Sequence, residues 1–538
     1  MIRKIITIAL SALLGLAAYA QGIDAEVSVT GDYEATLGRL AKQSMQMYVP
    51  DTAYHFNYSF DYSVFDSPYK GAYEFSPYTV KIVPEAVRAD AHTLYAKAGL
   101  GYSLNPLLQA VYSPVPKGDF SLSLYQDLHG YLGDYWGVGS DLKLMRSQWF
   151  GSDLSEDFGV NLAWRKKAFM ATVDAGYRGI YTYEPTLADY MNSLAVRGRI
   201  RSNANPGDVF YYDVALSVRA LNDYAVTVYD PVSMFHCSYD LQGTVGPIIR
   251  GFELFTIGFE ARHDDYYQIY NSGATLLSAT PAFSLSRGPV RLNIGATVSW
   301  AGSLHFNPMA SVRGSFADGV LDIEAGVKGG ARMHDFYSFK DKWSRFNASF
   351  TSDISAVEHE RFNAYLLAEG RIGHFFQYGV KGGYAGLSSS PMLSIAMSGT
   401  RPAACIRYVS YNYAYADMSA AWTSERVDVI GTLALRKSGI GSNAGVFDFP
   451  LVEGGLQVRY NWARRIFAEA SFSGMTERRM AGYRLPAYGD LGLSLEYRMP
   501  RMWGFWIEGS NLLDMAIQRL PGFVERGVNI RVGASLYL

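Results

Sequence analysis

Apolar and polar side chains alternate one by one along many segments of about ten residues, the spacing of a pleated strand whose two faces meet different surroundings. In one such segment Leu292, Ile294, Ala296, Val298 and Trp300 oppose Asn293, Gly295, Thr297 and Ser299. In a second, Leu456, Val458, Tyr460 and Trp462 oppose Gln457, Arg459 and Asn461. In a third, Leu491, Leu493, Leu495 and Tyr497 oppose Ser494, Glu496 and Arg498. The last segment runs to the carboxyl end, with Val528, Ile530, Val532, Ala534, Leu536 and Leu538 on one face and Asn529, Arg531, Gly533 and Ser535 on the other. An arginine in mid-strand is costly against lipid, so the polar face is expected to line a wet interior.

Very short polar links separate many of these runs, among them Arg165-Lys166-Lys167, Arg287-Gly288-Pro289, Ala317-Asp318-Gly319, Ala463-Arg464-Arg465 and Met499-Pro500-Arg501. They read as tight hairpin turns. The alternate connections are longer: Thr182 to Ser193, His263 to Leu277, Met333 to Glu360, Tyr384 to Arg401, Ser438 to Phe449 and Asn511 to Arg526. Short turns inside and long loops outside are the asymmetry of outer-membrane barrels. The pattern predicts an all-β, antiparallel, up-and-down transmembrane β-barrel over residues 93–538 with about 22 strands, within a range of about 18 to 24. The competing architecture is a soluble sandwich or propeller; the lack of a fixed repeat length and the asymmetry of the connections argue against it.

The amino terminus adds a compartment. Arg3 and Lys4 precede an apolar stretch from Ile5 to Leu16, and Ala18-Tyr19-Ala20 forms a small-x-small cleavage site, so residues 1–20 are expected to be a cleaved secretory signal. With the barrel pattern, this predicts the outer membrane of a Gram-negative bacterium. Composition agrees: 40 Tyr, 29 Phe and 53 Gly with 18% charged residues suit aromatic girdles and tight turns. A formal charge of -2 gives no reason to expect nucleic acid as a partner. Cys237 and Cys405 are the only cysteines, and spacing does not say whether they pair.

Strand parity assigns charged residues to the lumen. Arg197, Arg199, Arg201, Arg219, Arg459 and Arg531 are the candidate selectivity residues, with Asp213, Glu469, Glu496 and Glu508 among the acids on the same side. A basic surplus would favour anionic solutes; the bland alternative is that interior charges pair across neighbouring strands. Arg197, Arg199 and Arg201 form the sharpest cluster, since three like charges on one strand face repel. Enzymatic chemistry is not expected. His263-Asp264-Asp265 and, second, His334-Asp335 are the best constellations, and neither has a serine in an elbow motif or the spacing of a defined metal site. No cofactor is called for.

Residues 21–92 do not read as barrel wall. Tyr33 to Met47 suits a small amphipathic helix, Tyr54 to Val64 alternates as a strand, and Pro68, Pro77 and Pro84 break the chain into extended pieces. This segment is expected to be plug-like, gating the lumen, or to be a periplasmic arm that binds outer-membrane or periplasmic proteins.

Ser510-Asn511-Leu512-Leu513-Asp514 after the penultimate strand, then Pro521-Gly522-Phe523 with Arg526 before the last, resemble the corresponding elements of the TonB-dependent receptor barrel. Asp24 to Thr30 resembles, more faintly, the box that engages the energising TonB protein; Glu26, Val27, Ser28, Val29 and Thr30 carry it. The pre-barrel segment is about half as long as that family's plug, and Leu538 stands where the family usually ends on an aromatic residue. The resemblance therefore implies a plug-less or plug-truncated relative. In the last strand Ile530, Val532, Leu536 and Leu538 are the expected signal for the barrel assembly machinery. The expected function is passage of a solute across the outer membrane, with lipid as the surrounding partner; the alternative is a non-transporting structural or assembly subunit of an outer-membrane complex.

Overall fold

A computed structural model describes residues 93–538, apart from short stretches at 115–117, 186, 204–208, 228–230, 250–252, 268–271, 348–355, 399–400, 442–443 and 501. The expected signal, the TonB-box-like residues Glu26 to Thr30 and the 21–92 segment lie outside the described residues.

The chain climbs and descends in order. The first strands are β1 (Leu94–Gly101), β2 (Leu107–Tyr112), β3 (Phe120–Val138), β4 (Leu144–Arg165), β5 (Phe169–Glu184), β6 (Leu187–Ser202), β7 (Phe210–Thr227) and β8 (Pro231–Ile249). Next come β9 (Glu253–Tyr267), β10 (Ser272–Arg287), β11 (Val290–Trp300), β12 (Leu304–Phe316), β13 (Leu321–His334), helix α1 (Phe336–Lys342), β14 (Ala356–Ile372), β15 (Phe376–Ser398) and β16 (Arg401–Thr423). The remainder is β17 (Val427–Ser438), β18 (Val452–Trp462), β19 (Ile466–Met475), a small hairpin of β20 (Arg478–Met480) and β21 (Tyr483–Leu485), then β22 (Tyr488–Arg498), β23 (Trp503–Ser510) and β24 (Asn529–Tyr537). Apart from β20 and β21, all belong to one 22-stranded antiparallel sheet. The sheet closes because β1 pairs with β2 on one edge and with β24 on the other. Closure leaves no unpaired edge, the condition for β structure in a bilayer.

The alternating faces fall as the sequence pattern requires. Leu194, Val196 and Ile200 of β6, Leu493 and Leu495 of β22, and Ile530, Val532 and Leu538 at the end of the chain are exposed on the outer surface. Trp164, Trp422, Trp462 and Trp503 stand on that surface at the short-turn end, and Tyr190, Tyr224 and Tyr267 stand toward the other. These are the two aromatic levels that flank an apolar band.

The outer connections differ from the sequence expectation. Thr182 to Ser193, His263 to Leu277 and Tyr384 to Arg401 are largely strand, not loop: Glu184 pairs with Leu187, and Ser398 pairs with Arg401. At 23 residues, β15 and β16 greatly exceed the roughly ten needed to cross a bilayer. Above the membrane the outward face meets water and other loops, so the lipid-driven alternation fades while the hydrogen-bond ladder continues.

Candidate functional site: the lumen and its outer mouth

The inner wall is a lattice of cross-strand ion pairs. Arg199 makes a two-pronged contact with Asp213 on β7, at 2.8 and 2.5 Å. Arg313 reaches Asp322 and Glu369, both at 2.6 Å. Arg459 meets Glu469 at 3.0 Å, and Arg531 meets Glu508 at 2.7 Å. Neighbouring inward positions on antiparallel strands stand within reach of each other, so a wet wall settles opposite charges side by side. Arg197 and Arg201 depart from this rule: neither has a carboxylate within 4 Å among the described residues, and Arg201 instead approaches the Met170 sulfur at 3.5 Å. The β6 stripe thus presents one neutralised arginine between two that keep their field.

Arg219 has a different role from the wall charges. Its guanidinium stacks 3.6 Å over the ring of Tyr337 and lies 3.6 Å from Asp335, both in the connection between β13 and β14. That connection folds into the barrel mouth. Asp335 caps α1 by accepting from the Ser338 amide at 2.9 Å, as aspartate does at a helix start, and Arg262 of β9 holds the same carboxylate at 2.8 Å. Lys340 is fully buried, bonds Asp189 of β6 and donates to the Phe346 carbonyl at 2.9 Å. Arg178 of β5 meets Asp341 at 2.9 Å, and Ser344 donates to Asp153 of β4 at 2.7 Å.

Beyond these polar anchors lies a dry cluster. Phe336, Phe339 and Phe346 pack with Ile180, Met191, Leu221, Met234 and Tyr266 of β5 to β9. The same cluster takes in Leu393, Ala404 and Ile406 of β15 and β16, then Leu142, Phe447, Leu485 and Leu520 from four further outer connections. Backbone bonds tie these connections together: Phe447 to Leu393 at 2.8 Å, and Asp448 to Arg479 at 3.0 Å. The outer mouth is therefore crossed by a cap whose apolar core is built from both sides of the barrel.

Arg345 pins this cap. It donates to Glu184 and to the Ser152 carbonyl, both at 2.9 Å, and its guanidinium lies 4.4 to 5.3 Å from the ring centres of Tyr135, Trp149 and Phe523. Sequence reasoning assigned no role to this residue. Its legible neighbour was the helical spacing of Phe336, Phe339, Trp343 and Phe346, which marks an amphipathic turn inside a presumed loop.

The two histidine constellations are structural. His263 and Asp265 point outward and pair at 3.1 Å, whereas Asp264 points inward, fully buried, and bonds Arg262 at 3.1 Å. Adjacent residues on a strand cannot share a site, which disperses the triplet. His334 faces Glu358 at 3.6 Å and Asp335 serves as the helix cap. Among the described residues no three metal-ligating side chains gather, and both cysteines are free thiols.

No protein-family model matches the chain, and no curated protein matches it. Solved structures do. The ferric enterobactin receptor of Pseudomonas aeruginosa superposes with a TM-score of 0.59 at 11% identity, over 83% of this chain and 80% of that one. The siderophore receptor PirA of Acinetobacter baumannii gives 0.60 at 10% identity, over 83% and 80%. The FrpB iron transporter of Neisseria meningitidis gives 0.62 at 9% identity, over 84% and 82%. The likeness is one of fold: a 22-stranded barrel similar to those of TonB-dependent receptors in Gram-negative outer membranes, with its apolar band against lipid.

Proposed function

We propose that this barrel passes a solute across the outer membrane, and that its outer cap is the gate. The observation that carries the reading is the combination of a closed, charge-lined interior with a mouth crossed by inward-folded loops. A barrel this wide is wet and polar inside whatever its role, so it is the latched entrance that argues for passage. The neighbours' names, iron and siderophore receptors, support a transport class and say nothing of this solute. The arginine stripe of β6 is read as the anion-favouring element, and the C-terminal strand as the segment the barrel assembly machinery engages.

Planar-bilayer recordings of the full chain test this. Low conductance is expected with the cap latched and larger, steady conductance once Arg345 is replaced by alanine. A cap-released variant that also lacks residues 21–92 and still conducts nothing overturns the reading. Deleting Glu26 to Thr30 separates energised from passive passage: uptake by cells falls, with single-channel conductance unchanged, if those residues engage TonB.

One observation favours the rival role, a non-transporting subunit of an outer-membrane assembly: the mouth cluster is dry and extensive. Recovery of a stoichiometric complex in mild detergent, together with a silent cap-released barrel, would support that role.

A further inference from the structure

The lipid-facing wall is not evenly ridged. On β19 the outward positions between Ile466 and Phe472 are the small residues Ala468 and Ala470. The register sets larger side chains on both sides of them. Val458 of β18 stands opposite Ala470 and Tyr460 opposite Ala468; across the other edge, Leu493 of β22 meets Ala470 and Leu495 meets Ala468. Tyr460, Leu493 and Leu495 are exposed on the outer surface. The alanines between these walls leave a furrow, part of a cavity of about 490 Å³ that continues toward β23 and β24. Its lining is almost wholly apolar. Glu469 and Ser494 touch its floor from inward positions, and Glu469 is held on the lumen side by Gln457 at 2.7 Å and Arg459 at 3.0 Å.

The width selects the occupant. β18 and β22 flank β19 at one strand spacing each, so the furrow measures about 10 Å from wall backbone to wall backbone, and the wall side chains take up part of that. A helix with its side chains needs about 10 to 12 Å. A single polymethylene chain can lie along the alanines, whereas a helix from a partner protein rides over the top.

The lower end of the furrow says which lipid. The turn 463–465 joins β18 to β19 on the short-turn, periplasmic side. Arg464 and Arg465 are exposed there, and neither has a carboxylate within 4 Å among the described residues. The nearby acids are engaged elsewhere, Glu469 by Arg459 and Glu496 by Arg498 at 2.9 Å. In the adjoining turn, whose Arg426 carbonyl accepts from the Asn461 amide at 2.7 Å, exposed Glu425 is offset by exposed Arg426. The foot of the furrow therefore keeps the positive charge of both turn arginines. Ala468 lies about 10 Å along the strand from Arg465, a span that an arginine side chain and a glycerol backbone together bridge. Trp462, exposed at the same turn, marks the headgroup level. Guanidinium groups pair with phosphate oxygens in a fork. A zwitterionic lipid offers the same phosphate, but its ammonium returns a positive charge beside the arginines.

We infer that the furrow, with Arg464 and Arg465 at its foot, is a binding site for an anionic glycerophospholipid of the periplasmic leaflet, an acyl chain lying over Ala468 and Ala470 and the phosphate held by the turn. The site stands independently of the transport reading. The purified full chain, delipidated in mild detergent, is titrated with dioleoyl phosphatidylglycerol or dioleoyl phosphatidylcholine, and the first bound lipid is followed by native mass spectrometry. Phosphatidylglycerol is expected to bind at least about tenfold more tightly, since each arginine near a headgroup contributes about fivefold. Arg464→Gln with Arg465→Gln should bring the two lipids within about twofold of each other. Ala468→Leu with Ala470→Leu fills the furrow with side chains that lipid tolerates, and should weaken the first phosphatidylglycerol about tenfold with both arginines in place. Heat-modifiable migration checks that the variants are folded, and the glutamine pair, on a surface turn, tests the headgroup arm independently of the leucine pair. Equal affinity of the natural chain for the two lipids overturns the assignment. So does a first lipid unmoved by the leucine pair, which would leave only a general attraction of headgroups to a basic rim. A dimer that forms without added lipid and is lost in the leucine pair gives the furrow to a second copy of the chain and overturns it as well.

Discussion

Gly99 of β1 and Gly533 of β24 face each other across the seam that closes the barrel, and the Trp506 indole lies over both. A Cβ on Gly533 would stand 2.0 Å from the Ala98 carbonyl oxygen and 2.5 Å from the indole; one on Gly99 would stand 2.4 Å from it. Lys97 lies over the same ring, its ammonium 4.2 Å from the ring centre.

Gly533→Val is therefore expected to obstruct closure. Backbone as well as side chain is in the way, so overpacking should cost more than the roughly 1 to 3 kcal/mol of an ordinary core insertion. The measurement is heat-modifiable migration of the protein recovered from membranes, with loss of the compact band expected. Trp506→Ala in the Gly533→Val background relieves only the indole clash and should not restore it.

Arg345→Ala should release the cap without unfolding the barrel. The substitution leaves Glu184 without its cation and uncovers three aromatic rings, a loss of about 3 kcal/mol for a largely buried pair. Hydrogen–deuterium exchange over residues 336–346 should quicken by about a hundredfold, while the strands keep their protection. Arg345→Lys should recover the charge but lose the planar stacking, and fall between the two.

The strand count, the faces and the short turns were legible because a bilayer imposes one rule on every crossing: alternate residues meet acyl chains. Leu493 and Ile530 obey it without reference to any partner. The cap was not legible. Phe336 and Phe346 are buried by Leu142, Phe447 and Leu520, which lie more than a hundred residues away in sequence, and no local period encodes that meeting. Arg459 pairs with Glu469 and Arg531 with Glu508, and strand parity alone does not specify those pairings. Arg219 likewise looked like one more wall charge, and its partner Tyr337 sits on a helix hidden in an apparent loop.

Asp335 should make the cap sensitive to strong acid only. Burial pushes its carboxyl up, but Arg262, the Ser338 bonds and Arg219 outweigh that, and hold it below the usual carboxylate value. Its neighbours from β9 are Arg262 and Asp264, and from β7 Arg219. A carboxyl with a depressed folded pKa stabilises the folded cap above its unfolded value, near 3.9, and that contribution is lost as pH falls toward the lower, folded one. Exchange protection of α1 should thus be flat from about pH 7 to 4 as far as this group is concerned, and fall below that. Asp335→Asn should weaken the cap near neutral pH, by about 3 kcal/mol, with the difference from the natural chain closing in strong acid, so that the acid step diminishes. A step of full size in that variant would assign it to another carboxylate.

The β6 stripe separates field from stability. Arg197 and Arg201 lack a carboxylate partner among the described residues, so Arg197→Gln with Arg201→Gln removes two charges from the lumen and breaks no ion pair. Reversal potentials in asymmetric KCl, measured in the cap-released form, should shift toward cation preference, while thermal stability changes by less than about 0.5 kcal/mol. Arg199→Gln should differ in stability. It strands Asp213, whose two-pronged contact is half exposed to water, so a loss of about 1 kcal/mol is the scale to expect, discounted for screening. Its own removal again lowers the positive charge by one, but the Asp213 field it had cancelled now acts on the pore, so cation preference per arginine removed should match or exceed that of the pair. Equal stability loss at all three positions would mean that Arg197 and Arg201 are held by contacts of the same strength, and the stripe would then be wall and not selectivity element.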